Sequence, residues 1–362
     1  METYKKLGIG LLVLIGVIVL FTIYFNPTVP NVININNNTE GGIIGAINNA
    51  SADDIILLDS GNYTGENNTG ITINKNITLK GNSPSDTVII DGEDIKRIFV
   101  MDKDLNVSFV NITFTNANAT ANGGAIYNPN INTKMKFINC VFTNISSTKT
   151  SNCLGGAIYN GGALGLDNCD FTNISIGGNG GAVYSTGVLG FNNVNFDNIS
   201  VGGNGGAVYS SGVLGFNNVN FNNISANGDG GAIYSNGTAM GLNDCIFNDI
   251  SAGSNGGAIY NVIEDMALND CTFDNISAGA IGGAIYSNGD NIALVNTIFT
   301  NIITGSTSNE ISSGTNNSIG TSTISDGAIA DGASSSTIGD GAIGGSATVT
   351  KIDSKFINIT KK

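Results

Sequence analysis

A five-residue phrase, GGAIY or GGAVY, returns at a nearly fixed interval and ends at Tyr127, Tyr159, Tyr184, Tyr209, Tyr234, Tyr260 and Tyr286. The steps between these tyrosines are 32, 25, 25, 25, 26 and 26 residues. A second phrase keeps pace, with Phe142, Phe171, Phe196, Phe221, Phe247 and Phe273 each followed two residues later by Asn144, Asn173, Asn198, Asn223, Asp249 or Asn275 and then Ile-Ser. Gly177–Val201 and Gly202–Ala226 differ at three positions. Self-similarity at this period marks a stacked repeat.

The unit is rich in Gly, Asn and Ser, which resist helix interiors. Its apolar residues alternate, as in Leu189 and Phe191 or Val194 and Phe196. Short alternating runs broken by Asn and Gly read as strands joined by tight corners. About 25 residues hold three strands of roughly five residues with three corners. One unit is then one coil, and coils stack in parallel at ~4.8 Å. Parallel crossovers are nearly always right-handed. The expected fold is all-β: a right-handed parallel β-helix over residues 40–302, its regular coils beginning near Gly123.

Stacking predicts ladders of like residues. Phe142 through Phe299 form an aromatic column. The Asn144 to Asn275 series forms an amide ladder at a corner, interrupted by Asp249. The Gly-Gly pair supplies a positive φ or a place too tight for a Cβ. Parity does not fix whether the tyrosines point in or out, so Tyr127, Tyr159, Tyr184, Tyr209, Tyr234, Tyr260 and Tyr286 read either as a structural stack or as a binding strip. Cys140, Cys169, Cys245 and Cys271 share one repeat position. They are either stacked free thiols or two disulfides, Cys140–Cys169 and Cys245–Cys271, between neighbouring coils.

Charge excludes several functions. The net charge is −14, and no Lys or Arg lies between Lys149 and Lys351. Nucleic-acid binding relies on those side chains and is not expected. Histidine is absent, which removes Ser-His-Asp and Cys-His catalysis; no metal site and no cofactor are expected. Arg97, the sole arginine, lies near Asp91, Glu93, Asp94 and Lys96, the one place for a lyase-like site. Paired acids such as Asp167/Asp170 and Asp270/Asp274 meet the minimum for a glycosidase, but in a repeat they read as solvent-facing corner charges. No catalytic residue is assigned.

Residues 1–6 carry two lysines, and 7–25 are almost unbroken apolar sequence. That length spans a bilayer and reads as a transmembrane signal anchor with the bulk of the chain outside; the alternative is a cleaved signal peptide and a secreted chain. Residues 26–39 read as a linker, and 40–50 as a helix capped by Thr39 that covers the first coil. Residues 303–346 read as a low-complexity loop or degenerate coils, and 347–362 as a terminal coil.

GGAI followed by a Cys/Val-x-Phe-x-Asn phrase resembles the repeat of chlamydial polymorphic outer-membrane proteins. It also resembles the adhesin-like proteins of methanogenic archaea, within the broad pectin-lyase-like β-helix group. Asp54–Gly65, Ile73–Gly81 and Val88–Gly92 look like opening coils of the archaeal group. The resemblance implies an exported, surface-exposed protein that adheres to a glycan or a cell-surface partner. The chain departs from those families in lacking a C-terminal barrel or long C-terminal repeat arrays, which leaves residues 7–25 as the expected anchor. A passive envelope spacer is the second reading, and a polysaccharide lyase or hydrolase the third.

Overall fold

The computed structural model of the chain describes residues 29–84, 87–118, 122–147, 153–262, 265–288 and 291–305, with the backbone of Ile343–Gly345, Thr348–Ile352 and Lys355–Lys361. These residues form a parallel β-solenoid. Every strand pairing among them is parallel, and in the regular region each residue lies beside its repeat equivalent. A coil begins with a three-residue strand such as Val183–Ser185, part of a ten-stranded sheet. It continues through a long run such as Val188–Val201 before the next short strand, Val208–Ser210.

The long run bends twice, and the bends explain the sequence pattern. Leu189, Phe191, Val194, Phe196, Ile199 and Val201 are all buried. Strict alternation cannot place them so. An additional outward residue sits after Phe191 and again after Phe196, at Asn193 (φ 52°) and Asn198 (φ 53°). Both are in the left-handed region, which Asn tolerates better than most residues. The same two corners recur five residues apart at Asn139/Asn144, Asn168/Asn173, Asn218/Asn223, Asp244/Asp249, Asp270/Asn275 and Asn296/Asn301.

The third corner is the Gly-Gly pair, and each glycine has its own reason. Gly205 has φ 66°. A Cβ on Gly206 would lie 1.9 Å from the Gly231 carbonyl oxygen and 2.5 Å from Ile224 Cγ2. The first glycine makes the turn; the second lets the next coil and the buried Ile column close against it.

Inside, the phenylalanine column extends one coil further than expected, from Phe114 to Phe299. Successive rings lie 4.5–5.1 Å apart. Phe109 meets Phe114 edge-on at 5.7 Å and 81°, joining two faces of the core. Such pairs add ~0.5–1.5 kcal/mol beyond burial.

The N-terminal end differs from expectation in two details. The segment read as a linker contains a strand, Val32–Ile35, which pairs with Ile55–Leu58 as a first partial coil. The helix Gly42–Asn49 buries Ile43, Ala46 and Ile47, but its N-cap is Gly41, not Thr39. The Thr39 hydroxyl instead accepts from the Asn36 amide at 2.9 Å, and Asn68 Oδ1 takes the Ile43 N–H at 3.0 Å.

At the other end, Ile343–Gly345, Thr348–Ile352 and Lys355–Lys361 add a further coil in register, with Phe356 beside Phe299. Residues 1–6, the apolar segment 7–25 and most of the low-complexity segment lie outside the described residues. Among the described residues no helix is long and apolar enough to cross a membrane.

Replacing Gly206 by Ala is expected to lower stability by ~1–3 kcal/mol through overpacking at a coil contact. Gly45→Ala, whose Cβ would sit 3.7 Å from the Glu40 carbonyl in a helix, should leave stability unchanged or raise it by up to ~1 kcal/mol. Urea unfolding of both variants reads the contrast.

Candidate functional site

The short strands settle the direction of the tyrosines. In Val183–Ser185 the first and third residues are buried and Tyr184 between them is half-exposed. The same pattern holds at Tyr127, Tyr159, Tyr209, Tyr234, Tyr260 and Tyr286. All seven therefore lie on one outward face, aligned by strand register.

Their rings stack. Centroids lie 5.2 Å apart at Tyr127–Tyr159, 5.4 Å at Tyr159–Tyr184, and 4.5–4.9 Å along the rest. From Tyr159 onward the planes differ by only 5–12°. The ring faces are turned to each other, so the column offers ring edges and hydroxyls to solvent. Six steps at ~4.8 Å make a strip roughly 30 Å long. Burial pushes the phenols of Tyr159, Tyr184, Tyr209, Tyr234 and Tyr260 above their ordinary pKa, and neighbouring tyrosines add to the shift. Asp229 contributes at Tyr234 and Tyr260.

Arg97 stands at the N-terminal end of this strip. Its guanidinium carbon lies 4.8 Å from the Tyr127 centroid. Its Nε donates to the Gly123 carbonyl at 2.9 Å and its Nη2 to the Asn122 carbonyl at 2.6 Å. Burial lowers its pKa while Tyr127 works in the opposite direction. The acids near it in sequence bond elsewhere. Asp91 accepts from the Glu93 amide and from Asn116, Glu93 accepts from the Gly65 amide, and Lys96 pairs with Glu66 at 3.3 Å. Sequence proximity suggested a carboxylate cluster around Arg97; the contacts make Arg97 the cap of the aromatic strip. A cation preceding the first tyrosine by about one coil was the signal for that role.

The acid pairs serve as ladder members. Asp167 accepts from Asn192 at 2.9 Å, and Asp170 from Asn195 at 2.7 Å. Asp270 accepts from Asn296 and Asp274 from Asn301, both at 2.9 Å. The expected amide ladder is present and solvent-exposed: Asn198 donates to Asn173 at 2.6 Å and Asn223 to Asn198 at 3.3 Å. Asp249 accepts from Asn275 but has no proton for Asn223, so the chain of donors breaks there. A second ladder, not singled out from the sequence, runs through the other left-handed corner, with Asn168 donating to Asn139 at 3.1 Å and Asn218 to Asn193 at 2.7 Å.

The alternative of disulfides at Cys140–Cys169 and Cys245–Cys271 is not realised: all four thiols are free and buried. In-register side chains point the same way from parallel strands, and the Cβ atoms do not converge as a bridge requires. Each thiol faces a carbonyl instead: Cys140 Sγ lies 3.4 Å from Ile138 O, Cys169 Sγ 3.4 Å from Asp167 O, and Cys245 and Cys271 3.3 Å from Asn243 O and Asn269 O. Burial pushes the Cys169 and Cys245 thiols well above their ordinary pKa. Among the described residues no group of three His, Cys, Asp or Glu side chains is placed to hold a metal ion.

Three segments, 218–236, 244–262 and 270–288, match the Chlamydia polymorphic membrane protein (Chlamydia_PMP) repeat. Each runs from a left-handed Asn or Asp corner, through the Phe column and the Gly-Gly corner, to two residues beyond a strip tyrosine. The repeats are similar to that family's in the parts that build the strip. No curated protein matches the chain.

Tyr63, inside the first coil with its hydroxyl donating to the Asp59 carbonyl at 2.8 Å, is pushed up from 10.0 to about 12, mainly by burial. Tyrosines with raised values keep their protons in the fold after the unfolded chain has lost them. Their contribution is complete below pH 10.0 and declines as the pH rises towards about 12. Urea midpoints should be flat up to the lower value and fall above it. A midpoint that rose across that window would contradict the assignment.

Proposed function

We propose that the chain is a cell-surface adhesin-like protein, anchored by residues 7–25, that binds a glycan or cell-surface partner along the outward tyrosine face. The observation that carries the proposal is the strip itself. Seven half-exposed tyrosines in register form an extended aromatic surface on a rigid scaffold. Tyrosine is enriched at interfaces because one end is apolar and the other can bond to a partner. Solenoids characteristically use such extended surfaces for binding. The matched repeats support an adhesin-like role because the segments in common are those that carry the strip.

The spacer reading has less behind it. A passive wall needs solubility, which the Asn and Asp ladders supply alone, and gives no reason to keep an aromatic at each short strand. The acidic surface, with no Lys or Arg between Lys149 and Lys351, argues against a nucleic-acid or polyanionic partner. The enzyme reading has its one candidate in Arg97, whose guanidinium is engaged by two carbonyls and a ring.

Attachment of cells expressing the full-length chain to other cells or to immobilised glycans tests the proposal. Tyr184→Ser, Tyr209→Ser and Tyr234→Ser combined should reduce attachment by about tenfold or more, as expected when a central aromatic cluster is lost. Asn195→Ser with Asn220→Ser, on another face, should leave it near the parent level. Equal attachment by both variants would remove the strip from the account.

A further inference from the structure

The tyrosine column stops one coil before the solenoid does. Ile343–Gly345 pairs in register with Ile285–Ser287, and Gly344 stands beside Tyr286. The next place in the column therefore holds backbone and no ring. Tyr286 has Tyr260 against one face, with centroids 4.7 Å apart and planes within 5°. Among the described residues no ring stacks on its other face. The two ends of the strip are unlike: the free face of Tyr127 carries the Arg97 guanidinium, whereas Tyr286 borders a slot one ring thick with glycine backbone as its floor.

We propose that this slot is a sugar subsite, in which an uncharged pyranose takes the place of the missing eighth ring and stacks on Tyr286. The inference rests on the binding role proposed above and names its ligand class. A pyranose has a flat face of C–H groups comparable in size to a phenol ring, and it stacks on an arene at the spacing of this column. Its hydroxyls point outward from the rim, so stacking does not strip them of water. The Tyr286 hydroxyl stands beside them as donor or acceptor. The interior of the strip offers no equivalent place, because each ring there has both faces covered.

Charge selects among flat ligands. An acidic sugar needs a cation, and no Lys or Arg lies between Lys149 and Lys351. A cationic ligand is also attracted to a tyrosine face, but the acid that bears on this column, Asp229, acts at Tyr234 and Tyr260, and its own coil lies two coils before that of Tyr286. A neutral ring needs neither partner. Every short strand from Tyr127 to Tyr286 carries tyrosine at the register of Gly344, so Gly344→Tyr places in the slot a side chain that the fold already accommodates.

The chain has no Trp, so tyrosine emission reports ring contacts directly. The full-length protein is titrated with cellohexaose, laminarihexaose, mannohexaose, hexagalacturonate and choline, and saturation transfer from tyrosine protons to sugar ring protons is recorded. The expected result is saturable binding of at least one neutral hexaose, with transfer to its ring C–H protons. Gly344→Tyr and Tyr286→Ser should each weaken it about tenfold or more, while Gly344→Ala and Tyr184→Ser stay near the parent; matching urea midpoints verify folding. A neutral hexaose that binds Gly344→Tyr and Tyr286→Ser as tightly as the parent overturns the slot and leaves the adhesion reading standing. Binding of hexagalacturonate or choline alone overturns the ligand class. Failure of every probe with cell attachment intact also overturns the subsite, and failure of both removes the adhesion reading with it.

Discussion

A coil that must return to its own register every 25 or 26 residues needs corners that reproduce. Here the backbone enters the left-handed region three times per regular coil, at a Gly and at two Asn or Asp residues. For other L-residues that conformation costs roughly 1–2 kcal/mol. Each Asn corner inserts one outward residue into a strand and so resets which side chains face inward. Without it Val194 would follow Phe191 out of phase, and the columns of Phe, Ile and Leu would not form. The core is a consequence of the corners, and the corners are a consequence of side-chain chemistry.

The same residues organise the surface. An Asn side chain carries both donor and acceptor, so an in-register column bonds to itself from coil to coil. Asp takes part as an acceptor only. Asp167 and Asp170 start columns, and Asp249 breaks one. The acidic balance is thereby carried on saturated ladders. Against that background the tyrosine face differs in kind: it offers aromatic edges and hydroxyls, with Arg97 at one end and glycine at the other.

The fold was legible because repetition multiplies a weak signal. One unit of alternating apolar residues is ambiguous, but the same unit in register many times is not. The phenylalanine and asparagine columns were readable for that reason. The tyrosine direction was not, because a glycine corner separates the short strand from the next and parity does not cross a corner. The strand Val32–Ile35 was hidden by neighbouring Asn and Pro, and the second Asn ladder by its place in the middle of an alternating run. The part played by Arg97 depends on which coil it faces, and sequence proximity to Asp91 and Glu93 gave the wrong neighbours.

Distances between spin labels on one surface column test the stacking most directly. Ser146, Ser175, Ser200, Ser225, Ser251 and Ser277 occupy a single register position in successive coils, and the native thiols are buried. With one label fixed at Ser146→Cys and the other moved to Ser225→Cys, Ser251→Cys or Ser277→Cys, the separation should lengthen by ~4.8 Å per coil. Separations that fail to grow in equal steps along that series would contradict a solenoid of one coil per repeat.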